Sequence, residues 1–166
     1  MSDTLLRAAK AILIACGLSA LVAMPALAAY EHGPGALQIW DEQGLANSPA
    51  WIKVWLAFMA LTMFSGVFFV WKHVEARWVV AGITTALLIS KFVIPALSIV
   101  SLSGLVGLVH VIFWSPALFV LLKNRPFTKG LSAYAIWSGI VTCVIIFSLF
   151  FDIRDAAIYL QHMATR

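Results

Sequence analysis

Charge is the scarcest commodity in this chain. Lys, Arg, Asp and Glu make up 11% of its 166 residues and apolar residues 63%, against roughly 25% charged and 45–50% apolar in soluble domains. A freely soluble globular domain is excluded on that ground. Carboxylates are rarer still, at seven, and none lies within the long apolar stretches, so proton relays and cation sites built on membrane carboxylates are not expected. With two cysteines, Cys16 and Cys143, there is no disulfide framework, and Cys143 is expected to pack as a small apolar residue. Paired carboxylates, a nucleophile–base set, a glycine-rich phosphate loop and a metal-spaced Cys/His cluster are all missing, so an enzyme is not expected. Although the net charge is +4, the basic residues flank apolar segments and form no continuous run, so nucleic acid is not a partner.

What is present is apolar length. A bilayer core of ~30 Å needs about 20 helical residues, and four segments supply them: Trp51–Trp71, Trp78–Val100, Leu102–Leu122 and Ser132–Phe151. The fold class expected is therefore an all-α integral membrane protein, a four-transmembrane-helix bundle spanning residues 51–151. Lys72, His73, Glu75 and Arg77 lie between the first two spans, and Lys123, Arg125 and Lys129 between the last two. Because Lys and Arg accumulate in cytoplasmic loops, both basic loops are assigned to the cytoplasm and both ends of the bundle to the periplasm. The lipid bilayer is the obligatory partner, and Trp51, Trp55, Trp71 and Trp78 fall where an interfacial aromatic belt is expected.

The N-terminus reads as a signal peptide over residues 1–28. Arg7 and Lys10 form a positive region, Ala11 to Ala23 an apolar one, and Ala26-Leu27-Ala28 a small-residue cleavage site. An uncleaved fifth helix is the alternative, with the same orientation. Either implies the bacterial inner membrane, with residues 29–50 as a periplasmic segment. Residues 152–166 space Ile153, Ala156, Ala157 and Leu160 at helical intervals, which predicts a short C-terminal amphipathic helix lying on the outer membrane surface.

Two ionisable residues stand out within the apolar spans. Lys91 lies near the middle of the second span, four residues before Pro95, and His110 lies in the third, six residues before Pro116. A lysine at membrane depth costs roughly 2.5–3.5 kcal/mol and is seldom kept without a partner or a cavity. Each proline removes a backbone donor, freeing the carbonyls of Lys91 and Ile112. Interrupted helices at mid-depth are a way of building membrane binding sites. Thr84, Lys91, Pro95 and Ser98 share one helical stripe, and Ser103, Gly107, His110, Trp114 and Ala117 another. The candidate ligand- or ion-binding residues are accordingly Lys91, His110, Trp114, Thr84 and Ser98, with Pro95 and Pro116 as helix breaks. The hydroxyl and small residues Thr62, Ser65, Gly66, Ser138, Gly139 and Thr142 are more simply explained as glue between helices.

These features point to a small channel-like or transporter-like membrane protein with a polar site at Lys91 and His110, acting as a homo-oligomer. An accessory subunit of a larger membrane complex is the second reading and a haem- or quinone-binding redox subunit the third. No metal site and no cofactor is expected. Haem would need a partner for His110, from Met59, Met63 or a second subunit.

Overall fold

A computed structural model describes residues 35–166. The proposed leader, its cleavage site and the first residues of the outer segment lie outside the described residues. The described chain is helical, with no β-strand among the described residues, and four helices long and apolar enough to cross a membrane. The expected four-helix membrane bundle is what the chain forms.

A short helix α1, Glu42–Asn47, precedes the spans. The spans are α2, Ala50–Phe64 with a 3-10 extension Ser65–Phe69; α3, Val74–Leu88, extended through Ile89–Val93 to Ala96; α4, Ser103–Asn124; and α5, Ala133–Ala164. The most extensive helix pair is α4 with α5, followed by α3 with α4. Glycines set these approaches. A Cβ placed on Gly82 would lie 2.6 Å from the Phe113 carbonyl oxygen, and one on Gly104 2.6 Å from that of Asp155. Without a hydrophobic driving force between helices in lipid, such close backbone contact is the main source of cohesion.

At the end that carries the basic loops the interior is packed solid. Met63, Val79, Leu121, Val141, Val144 and Ile145 are all fully buried. A polar knot closes that end: the Glu75 carboxylate accepts from the Tyr134 hydroxyl at 2.7 Å and from the Asn124 amide at 2.8 Å, while His73 stacks on the Tyr134 ring. Three spans are thereby tied at one buried carboxylate. Trp137 brings in the remaining span, α2, by donating its indole N–H to the Thr62 carbonyl at 2.9 Å.

The opposite end is covered by residues 38–47. The Trp40 N–H donates to the Ser101 carbonyl, and the Ser103 N–H, an otherwise orphaned donor at the start of α4, donates to the Gln38 carbonyl. Asp41 caps α1 by accepting from the Gly44 N–H, and the Lys53 ammonium donates to the Ala46 carbonyl near its far end.

Several expectations are corrected. The second span does not run to Val100. It ends at Ala96, where Ser98 adopts a left-handed φ of 56° and the Ser98 and Ile99 amides donate back to the Pro95 and Ile94 carbonyls, a Schellman stop. Pro95 does not break the helix; the missing donor is absorbed by a π-helical turn, Ile89–Val93, in which the Ile94 N–H reaches the Ile89 carbonyl. Pro116 does not interrupt α4, which remains one helix. The segment expected as a separate surface helix continues the fourth span without a break to Ala164. Trp55, placed in the aromatic belt, turns inward against Phe147.

Candidate functional site

The site grows from the pattern Gly104, Gly107, His110, Trp114 along α4. The glycines admit the backbone of α5: a Cβ on Gly107 would lie 3.1 Å from the Asp152 carbonyl oxygen. That approach sets the carboxylate of Asp152 beside the next ring up the stripe. His110 Nδ1 and Asp152 Oδ2 are 3.2 Å apart, with side chains 20% and 19% exposed. The imidazole also lies flat on the Trp114 indole, with ring centroids 3.9 Å apart and planes 10° from parallel. A charge partner on one nitrogen and an aromatic face beneath it leave the ring little freedom. With Nδ1 assigned as the donor to the carboxylate, Nε2 is the ring nitrogen left to exchange a proton or contact a ligand.

Trp114 is 2% exposed, and its indole N–H has no hydrogen-bond partner among the described residues. A buried donor left unpaired costs about 1–3 kcal/mol. Trp114 and His110 both line two cavities. The larger, of about 420 Å³, is bounded by α1, α2, α3 and α4 and includes Trp40, Leu56, Ile83 and Ala86; Asp41, Glu42 and Lys91 also line it. The smaller, of about 190 Å³, lies toward α5 and includes Trp51, Trp55, Ser148, Asp152 and Asp155. The walls of both are mainly apolar and aromatic, with few polar groups, which is the usual make-up of a small-molecule site.

Lys91 and His110 therefore share a cavity wall, but they are not each other's partner. Because α3 stops at Ala96, Lys91 is five residues from its end (96 − 91) rather than at mid-depth. Its side chain is 61% exposed and its ammonium lies 3.9 Å from Glu42. It stands at the rim, and His110 stands inside. Trp114 lies eleven residues into α4 (114 − 103), ~16 Å along the helix and about half the depth of a bilayer core. Of the stripe proposed on α3, Pro95 and Lys91 line the larger cavity, whereas Thr84 and Ser98 are exposed and line neither cavity. Pro116 is exposed and lines neither.

The candidate site residue that sequence reasoning missed is Asp152. It sits one residue beyond the predicted end of the fourth span, because the span was closed at the first charge. Residues 140–166 contain no glycine or proline, and that unbroken helical character was the signal for a longer helix carrying Asp152 inward. Three of the hydroxyls read as glue between helices bond instead within their own: Ser138 donates to the Ala135 carbonyl, Thr142 to that of Ser138, and Ser65 to that of Thr62. Of the proposed haem partners, Met59 lines both cavities and its sulfur accepts from the Ser148 hydroxyl, whereas Met63 is buried in the packed core. Comparison with family models, curated proteins and solved structures finds nothing that matches this chain.

Proposed function

We propose that this chain is a small transporter-like protein of the bacterial inner membrane, whose His110–Asp152 pair and Trp114 N–H form a proton-exchanging binding site for a lipophilic molecule. One observation carries the reading: two apolar cavities meet at an imidazole held by a carboxylate and a buried donor that has no partner among the described residues. Ionisable residues at membrane depth mark ligand and proton pathways when they face a cavity, and His110 does so at its contact with both cavities.

The positive-inside rule orients the site. Lys72, Arg77, Lys123, Arg125 and Lys129 gather at the packed end, which assigns that end to the cytoplasm and the cavity end, with both termini of the bundle, to the periplasm. The cytoplasmic half is filled by fully buried side chains, so a one-sided site fits better than an open pore. Lys91 then acts at the mouth of the site and not at its centre. The bilayer is the surrounding partner.

The test uses the full chain purified in mild detergent and rebuilt into vesicles. Thermal unfolding is followed while small lipophilic compounds are added. At least one should stabilise the protein, lose that effect in Asp152→Asn, and accumulate in vesicles when a pH gradient is imposed. A chain that purifies only with a larger polypeptide at fixed ratio, and that no compound stabilises, would overturn the proposal in favour of an accessory subunit.

A further inference from the structure

Resting on the binding-site reading above, we infer that the larger cavity takes a neutral lipophilic carbonyl compound of the quinone class, with one ring oxygen accepting from the Trp114 indole N–H. The indole nitrogen donates and cannot accept. Whatever satisfies it must present an acceptor, so an ammonium or other organic cation cannot be the group that reaches it. Anions are disfavoured by the lining: Asp41 and Glu42 accompany Lys91 at the rim, and Asp152 stands behind His110, three carboxylates to one ammonium. A neutral oxygen remains.

Shape narrows the class. His110 and Trp114 present parallel, stacked rings, and Trp40 adds a third aromatic surface to the same cavity. Flat ligands suit such walls, because aromatic faces pair best in offset or edge contacts with other rings. Leu56, Ile83, Ala86 and Leu87 supply the aliphatic remainder, as an alkyl tail requires. At about 420 Å³ the cavity falls within the roughly 300–1,000 Å³ range of small-molecule sites. Residues 110 and 114 are one helical turn apart, with Cβ atoms ~5–6 Å from each other. Trp114 thus offers a fixed donor to one oxygen, while the remaining nitrogen of His110 offers a proton-exchanging contact to a second. A ring carrying two oxygens uses both; a simple ketone, alcohol or fatty chain uses only one.

The experiment titrates decylubiquinone into the full-length protein in lipid nanodiscs, reading quenching of tryptophan fluorescence and the shift in thermal unfolding. Parallel titrations use decylbenzene, which keeps ring and tail without oxygen, and decanoate and tetraphenylphosphonium as anion and cation. Decylubiquinone should bind saturably, decylbenzene should not, and Trp114→Phe should weaken quinone binding about tenfold or more. Should Trp114→Phe fail to fold, Leu87→Trp fills the cavity from its exposed rim with Trp114 in place, and must abolish quinone binding. Equal binding of decylbenzene, or full quinone affinity in either variant, overturns the assignment. If decanoate or tetraphenylphosphonium binds instead and does so only with Asp152 intact, the quinone assignment falls while the binding-site reading stands. Binding of none of the four overturns the assignment, and the broader compound screen then decides the binding-site reading separately.

Discussion

The two ends of this bundle are made from the same few polar residue types and use them in opposite ways. At the basic-loop end, Glu75 is buried and both of its oxygens accept hydrogen bonds, from Tyr134 and from Asn124. At the other end, Asp152 takes one hydrogen bond from a ring that also faces two cavities, and the neighbouring indole N–H has no partner among the described residues. A saturated carboxylate tied to three helices is what holds a structure together. A half-engaged carboxylate behind an exchangeable ring, with an unspent donor nearby, is what receives something. On the proposed reading, the difference separates stability from function along the bundle axis, and it can be broken from either side.

The largest effect on stability is expected at the saturated end. Glu75→Ala removes the acceptor of both the Tyr134 hydroxyl and the Asn124 amide, and a stranded buried partner costs about 1–3 kcal/mol. A loss of about 3 kcal/mol is expected, seen as a marked fall in the thermal unfolding midpoint in detergent, while ligand binding at the far end persists in the protein that remains folded. Little change in the midpoint would mean that the knot is incidental and that the contrast between the two ends is wrong.

That contrast was only partly legible in the sequence. Four spans were readable because hydropathy over about 20 residues reports lipid burial directly, and the bundle follows from it. The site was harder, since it depends on where helices stop and how closely they pass. Lys91 looked central because the apolar run continues to Val100, yet Ser98 in a left-handed cap ends the helix at Ala96 and leaves the lysine at the rim. Apolar residues beyond a helix end look the same to a hydropathy window as those within it. His110 was singled out as an ionisable residue within an apolar span, and Trp114 because it shares the same helical stripe. Asp152 was missed because its partner is 42 residues away, and only the glycine-lined crossing of α4 and α5 brings the two together.

At the cavity end the expected order reverses: Asp152→Asn should cost little stability and most of the function. An asparagine keeps an oxygen that can accept from His110 Nδ1–H, so the hydrogen bond survives and the unfolding midpoint should move by the equivalent of about 1 kcal/mol or less. The carboxylate beside the ring is gone, however. Ligand-induced stabilisation and pH-driven accumulation in vesicles are expected to disappear together. If the variant instead unfolds as readily as Glu75→Ala, Asp152 is a second structural knot and the end it occupies is not a site.

The smallest effect is expected from Lys91→Met, and its size discriminates between two placements of the lysine. A charge held at membrane depth costs roughly 2.5–3.5 kcal/mol on insertion scales, so replacing a deep lysine with methionine, which keeps the stem and removes the ammonium, should raise stability by an amount of that order. A rim lysine behaves differently. Its side chain is 61% exposed, Glu42 is 93% exposed, and the two lie 3.9 Å apart; exposed pairs of this kind contribute about 0–1 kcal/mol. An unfolding midpoint within error of the wild type is therefore expected, with ligand affinity changed by no more than a few-fold, because Lys91 lines the mouth while Trp114 and His110 hold the deep end. A large gain in stability would return Lys91 to the membrane interior and with it the original pairing of lysine and histidine. Loss of binding without loss of stability would move the ligand's polar group outward from Trp114 to the rim, and the boundary between the two halves would then lie one helical turn or more closer to the mouth of the cavity.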